Sequence, residues 1–332
     1  MPSPILTLNC HEAWISQLPR LGQPLDIVVG LRGRYTAGWD ARMRPFPPGA
    51  RAVTMEQVRA EARTYGCLIA HSLSDLVELQ DLAGPRILVL HTSPRHRAAQ
   101  EGRQELPAGF LEAAARYVEQ ADAEVVAISP FKGEAWRMPH TVVRPGIEAD
   151  QFGPATRERA AGIRVANQIA AKRATLLWGL HERAFRSVPV NVVGHNPEMP
   201  GVKPAASWEE LRGLLACHRF FVHTADPALE DGYNLASLEA MAAGLPILGN
   251  RHPTSPIEHG VSGFLSDDPD ELRSYALRLL NDRALAARMG EAARSAVMEQ
   301  FPPGRFVSGM RAAIDRAQRR WAARGELLSR AR

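Results

Sequence analysis

Short apolar runs alternate with amphipathic stretches along most of the chain, and that rhythm predicts a layered α/β protein. ILTLNC (5–10), LDIVVGL (25–31), GCLIAH (66–71), RILVLH (86–91) and AEVVAIS (123–129) have the pattern of buried strands. A helix is expected over Trp14–Leu21, and LPAGFLEAAARYVEQA carries the apolar spacing of another. A second series comprises GIRVAN (162–167), a helix near 172–185, VPVNVVG (188–194), a helix near 207–216, RFFVHT (219–224), PILGN (246–250), GFLS (263–266) and two helices over 269–300. Strands alternating with helices imply parallel β-α units with helices on both faces of each sheet.

Polar and turn-forming segments punctuate this pattern. Arg32–Pro48 is expected to be a long ordered loop, with GLRGR (30–34) a turn and not a dinucleotide fingerprint. Val143–Arg159, VRPGIEADQFGPATRER, has the composition of a domain boundary. Phe301-Pro302-Pro303 ends the second series, because proline cannot continue a helix, and a basic amphipathic helix is expected over about 304–326. The expected division is therefore 1–152, 153–302 and a terminal helix within 303–332.

A length of 332 residues suits two such domains, and 45% hydrophobic with 23% charged residues is the balance of a folded soluble protein. No run approaches the ~18 apolar residues of a membrane span. MPSPILTLNCHEAW lacks a basic segment followed by an apolar core, so no signal peptide is expected. Cys10, Cys67 and Cys217 lie far apart, fit a reducing compartment and match no zinc spacing, which makes a cytoplasmic location the expectation.

The formal charge of +4 changes this picture only at the C-terminus, where Arg311, Arg316, Arg319, Arg320, Arg324, Arg330 and Arg332 face Asp315 and Glu326. Such a stripe is a solvated helix face, or a peripheral contact with anionic lipid at the inner face of the membrane. Nucleic acid is not expected, since neither interleaved aromatics nor a binding module accompanies the charge.

The densest chemistry lies in DGYNLASLEAMAAGLP (231–246). Asp231 and Glu239 flank an expected helix start, with Gly232 and Asn234 just inside the first acid. Free N–H groups at a helix N-terminus attract anions, while carboxylates bind hydroxyls. Together they suit a hydroxyl-rich ligand carrying phosphate, such as a sugar nucleotide. If the whole motif is helical, eight residues at ~1.5 Å each separate the acids by about 12 Å. Asp268-Pro269-Asp270 is read as a helix cap with proline at the first helical position, not as a metal-binding Asp-x-Asp. No metal is expected at any of these positions, and His91-x4-His96 lacks a third partner.

The run ALEDGYNLASLEAMAAGLPILGN, followed by SPIEHGVSGFLSDDPDELRSYALRLLND, resembles the C-terminal half of the retaining glycosyltransferases of family 4 (glycosyl transferases group 1). The likeness is dense over about 215–302; GIRVANQIAAKRA, VVRPGIEADQF and the strand ends AHS, LHTS and AISP extend it weakly. The resemblance implies the GT-B fold, two Rossmann-like domains facing each other across a cleft, with the terminal helix crossing back to the first. It implies a retaining, metal-independent hexosyltransferase that needs no cofactor, takes a nucleoside diphosphate sugar as donor and passes it to an acceptor such as a glycan, a lipid-linked saccharide or a small molecule. Glu239 would bind the ribose hydroxyls and Asp231 the donor sugar. Backbone groups of Gly232, Tyr233, Asn234 and Leu235 would meet sugar and diphosphate. Lys172, helped by Arg173, would neutralise the diphosphate, and His91 would serve the acceptor and the anomeric centre. Asn167 stands where the family has a diphosphate-binding arginine. Cys10-His11-Glu12 replaces the family's glycine pair, placing His11 and Glu12 on the acceptor side. A catalytically silent nucleotide-sugar binder or assembly protein, and a nucleotide-sugar epimerase of the same fold, are the alternatives.

Overall fold

The computed structural model describes residues 3–31, 38–103 and 105–330. Contacts divide the chain into two units: one of Met1–Ser93, Leu106–Gly146 and Gly304–Arg332, the other of Pro94–Glu105 and Ile147–Pro303. The division near 146 falls just before the boundary expected at 152, and the short segment 94–105 has its contacts in the second unit.

The first unit holds a parallel sheet of β1 (Ile5–Leu8), β2 (Leu25–Val28), β3 (Arg51–Val53), β4 (Cys67–Ala70), β5 (Arg86–Leu90), β6 (Ala123–Ala127) and β7 (Thr141–Val142). Its order is β3-β2-β1-β4-β5-β6-β7. The central strands are buried along their whole length, which is why their sequences are continuous apolar runs and not alternations. Helices α1 (Glu12–Ile15), α2 (Met55–Glu61), α3 (Leu73–Glu78), α5 (Phe110–Gln120), α6 (Pro130–Ala135) and α12 (Pro303–Arg330) go with this unit. The core gathers Leu6, Leu8, Val28, Leu68, Leu88, Leu90 and Val125.

The second unit has a smaller parallel sheet, β8 (Gly162–Val165), β9 (Val190–Val193), β10 (Phe220–Val222), β11 (Ile247–Gly249) and β12 (Gly263–Leu265), in the order β12-β11-β10-β8-β9. Its helices are α4 (Pro94–Gln100), α7 (Trp178–Phe185), α8 (Trp208–Cys217), α9 (Leu235–Ala242), α10 (Pro269–Asn281) and α11 (Arg283–Gln300). Phe221, Leu238, Met241, Leu245, Ile247 and Val297 lie in one core layer, and Phe220, Val222, Leu248 and Leu272 in the other.

Several expectations are corrected. The helix expected over Trp14–Leu21 is the short α1 followed by a 3-10 turn at Leu18–Leu21, with Pro19 near its start. The helix expected near 172–185 begins only at Trp178; residues 170–177 form turns that end on Leu177 in the left-handed region. Edge strands β3 and β7 escaped the apolar pattern, being three and two residues long and partly exposed. Residues 32–37, part of the loop expected over Arg32–Pro48 and of the turn at 30–34, lie outside the described residues, as does Arg332. Asp268 caps α10 with Pro269 at its start, its side chain accepting from the Asp270 N–H. The basic stripe of α12 is partly committed within its own unit: Arg316 pairs with Glu124 at 2.6 Å and Arg320 with Asp122 at 3.2 Å. No described helix is long and apolar enough to cross a membrane.

Candidate donor-binding site

In the second unit, the C-terminal end of β10 delivers His223 and Thr224 to one edge of the sheet, where ligands gather in parallel α/β folds. Asn250, just beyond β11, staples the next residue: its Oδ1 accepts from the Ala225 N–H and its Nδ2 donates to the Ala225 carbonyl, both at 2.9 Å. From that staple the chain turns through 226–234 into α9.

Asp231 and Glu239 are both buried, 1% and 6% exposed. Asn234 caps α9: its side chain accepts from the Ser237 N–H at 2.8 Å, and Ser237 Oγ accepts from the Asn234 N–H at 2.9 Å. Asp231 therefore lies in the turn before the helix, and the 12 Å spacing expected for a helix running from acid to acid does not apply. Two of the backbone donors expected for sugar and diphosphate are also engaged, Gly232 N–H by Thr254 Oγ1 at 2.8 Å and Asn234 N–H by Ser237. The N–H groups of Leu235 and Ala236, at the first two helical positions, have no intrahelical acceptor, so Leu235 is the expected backbone donor that stands at the anion-attracting end of the helix. Tyr233 is buried against Phe301, ring centroids 5.2 Å apart.

Lys172 lies half-buried in the turns after β8. Burial lowers its pKa, and the nearby Glu230 carboxylate opposes that shift. Glu230 also receives the Asp231 N–H at 3.0 Å and lies 3.3 Å from His96 Nδ1 of α4. Arg173 points elsewhere, paired with Glu182 at 2.8 Å on an exposed surface. Asn167 is committed to structure: its Oδ1 accepts from the His195 N–H at 2.8 Å. Gly194 packs so closely there that a Cβ would lie 2.1 Å from the Ala166 carbonyl oxygen.

Sequence reasoning missed four supports of this site. Arg164 of β8 is a fully buried cation, its guanidinium 4.9 Å from the Trp178 ring centroid and donating to Thr224 Oγ1 at 3.0 Å and to the Leu176 carbonyl at 3.1 Å. It ties the Lys172 turn to the end of β10, and burial pushes its pKa down to about 9. His223 lies beneath the Asp231 turn, where burial, reinforced by Arg164, pushes its pKa down to about 3. His252 packs against Gly232, and Thr254 receives the Gly232 N–H. Each partner is remote in sequence from the residue it holds, so no local spacing announces it.

In the first unit, His91 stands just past β5, with Nε2 2.9 Å from His71 Nδ1 and 3.9 Å from Cys10 Sγ. Burial, then the charges of His71, His11 and Lys132, hold its pKa well below the usual imidazole value. Glu12 is buried and braces the backbone: its Oε1 accepts from Asn9 Nδ2 at 3.1 Å and from the Asp40 N–H at 3.2 Å. His11 precedes α1 and is exposed. A cavity of about 530 Å³ lined by Arg86, Tyr117, Trp321 and Arg324 lies at the start of β5, the opposite end of that strand from His91.

Residues 170–282, which contain Lys172, the Asp231 turn and α9, match the family model described as glycosyl transferases group 1. Over 83 residues the chain is 40% identical to the N-acetyl-alpha-D-glucosaminyl L-malate synthase of Bacillus anthracis, a match covering 24% of this chain and 22% of that protein. It spans between 22% and 53% of the length of the curated relatives it matches. Among solved structures, Anabaena HepE in complex with UDP-glucose superposes with a TM-score of 0.67 at 14% identity, covering 94% of this chain and 99% of that one. A glycosyltransferase from Rickettsia africae superposes with a TM-score of 0.65 at 12% identity, covering 95% and 98%. The chain thus has the fold of the GT-B glycosyltransferases, and residues 170–282 of its second unit are similar to the group 1 family model.

Proposed function

We propose that this protein is a glycosyltransferase that moves a hexose-type sugar from a nucleoside diphosphate to an acceptor, with retention of anomeric configuration. The observation that carries this reading is the arrangement around α9. Two buried carboxylates, the N–H groups at the start of the helix and the half-buried Lys172 gather within the segment that matches group 1 glycosyltransferases. Glu239 binds the ribose hydroxyls and Asp231 the sugar hydroxyls. Lys172 and the helix N-terminus stabilise the negative charge that develops on the leaving diphosphate. That positive charge makes a metal on the diphosphate unnecessary.

In this mechanism the bond from the anomeric carbon to the diphosphate oxygen breaks as the bond to the acceptor oxygen forms on the same face. The acceptor's proton passes to the departing phosphate oxygen. The first unit, which carries His91, binds the acceptor. A cytoplasmic setting follows from a nucleotide-sugar donor, and the remaining basic face of α12 is available to anionic lipid. A glycan acceptor is the first class to test.

The experiment is turnover and binding across a panel of UDP- and GDP-sugars, with UDP-glucose first because HepE was solved with it. Transfer by wild-type protein, lost with Lys172→Ala, supports the proposal; absence of both binding and transfer sinks it. A second reading, a nucleotide-sugar binder without turnover, is favoured by one observation: Asn167 is bound to the His195 backbone, where the resembling family places an arginine. Binding without transfer or hydrolysis would select it.

A further inference from the structure

The first unit gathers soft and imidazole donors at one sheet edge. Strands β1, β4 and β5 are neighbours, and Cys10, His71 and His91 stand one or two residues beyond their C-terminal ends. One ligand atom from each lies within 4.8 Å of the others. His71 Nδ1 is 2.9 Å and Cys10 Sγ 3.9 Å from His91 Nε2. The fully buried Thr7 of β1 sets its Oγ1 2.8 Å from His71 Nε2. The Trp14 ring meets both imidazoles edge-on, centroids 5.0 and 5.1 Å away.

We propose that Cys10 Sγ, His71 Nδ1 and His91 Nε2 form a binding site for one divalent transition metal ion of the zinc class. Metal–nitrogen bonds of ~2.0–2.1 Å and metal–sulfur bonds of ~2.3 Å about a tetrahedral centre place two nitrogens about 3.3 Å apart and sulfur and nitrogen about 3.6 Å apart. The spacings of 2.9 and 3.9 Å fall on either side of these values and need shifts of about 0.4 Å, while the three ligand atoms span up to 4.8 Å, so the half-buried Cys10 side chain must close on His71 by up to about 1.2 Å. A thiolate with two imidazoles suits zinc, cobalt or nickel and disfavours magnesium and calcium, which take oxygen ligands. The Thr7 Oγ1 contact at His71 Nε2 lets the hydroxyl accept the Nε2–H when Nδ1 binds the ion, the usual outer support of a metal-bound histidine. Three protein ligands leave a fourth position for water. Each ligand comes from a different strand end, so the ion ties β1, β4 and β5 together. This inference stands whether or not the chain transfers sugar, and the ion is not the diphosphate's counter-charge.

The test uses the full chain, stripped with chelator and titrated with Co²⁺. One equivalent is expected, with a thiolate-to-cobalt charge-transfer band that zinc displaces. Cys10→Ser abolishes the band. Thr7→Val, which removes no ligand and keeps the side-chain shape, weakens binding about ten-fold. Cys217→Ser leaves the band intact, although Cys217 Sγ lies 3.5 Å from His218 Nδ1 and offers the obvious competing site. No charge-transfer band on the wild type overturns the proposal without any variant. So does a band that survives Cys10→Ser, or one lost with Cys217→Ser.

Discussion

Gly232 donates its N–H to Thr254 Oγ1 at 2.8 Å while its α-carbon rests against the His252 imidazole, where a Cβ would come within 2.7 Å of the ring. The turn carrying Asp231 is thereby fixed from two sides. Gly232→Ala should displace His252 or the turn and weaken donor-nucleotide binding by about ten-fold, the equivalent of ~1.4 kcal/mol. Thr254→Val should act more gently on binding. It strands the Gly232 N–H, lowering stability by about 1–3 kcal/mol. Calorimetric titration with UDP and GDP, beside urea unfolding, separates the two. Wild-type affinity in Gly232→Ala would show that the turn's position does not set donor binding.

How much of this was legible beforehand follows from the range of the interactions. Strands β1, β4, β5 and β6 were visible because each is an uninterrupted apolar run, and α9 because Leu235, Leu238 and Ala242 recur at helical spacing after the turn of Gly232 and Asn234. The acids Asp231 and Glu239 were legible for the same local reason. Gly232 with Thr254, Glu230 with His96, and Cys10 with His71 and His91 were not, since they meet only when separate strand ends converge. Arg164 was hidden differently. A charged residue inside a strand resembles an exposed position, and only the Trp178 face and the Leu176 and Thr224 oxygens explain its burial.

Glu239→Ala should weaken nucleotide binding by about 10- to 100-fold, the effect of losing a charge-assisted hydrogen bond of about 1.5–3 kcal/mol. Lys172→Ala should instead lower turnover more than affinity, because charge on the leaving diphosphate grows toward the transition state. Steady-state kinetics with direct binding resolves them. Unchanged UDP and GDP affinity in Glu239→Ala removes that residue from the ribose role, and undiminished kcat in Lys172→Ala removes the lysine from the reaction.

Arg164 is a positioning residue, since it acts on the Lys172 turn through Leu176 and Thr224. Arg164→Met should cost about 2–4 kcal/mol in urea unfolding, through lost hydrogen bonds and the cation–π contact. Arg164→Lys should recover only part of this, because a single ammonium cannot span both acceptors as the planar fork does. If the role were stability alone, KM for the donor would remain at its wild-type value in folded Arg164→Lys. A raised KM identifies the turn as the element it holds.

His181 and His223 make stability depend on acid in a defined window. Both are buried, and burial, aided by the charge of Arg164, pushes each pKa down to about 3. In the unfolded chain an imidazole titrates near 6.5. Between these values the unfolded state binds more protons than the folded state, so unfolding free energy falls as pH falls. The contribution is whole above about pH 6.5, declines through the window and levels off below about pH 3. From pH 7 to pH 5 each histidine should cost about 2 kcal/mol. Urea midpoints measured across that range should drop steeply for the wild type and less steeply for His181→Gln and for His223→Gln, with the double variant shallowest. Parallel pH profiles in wild type and both variants would show that neither imidazole is kept neutral by the fold.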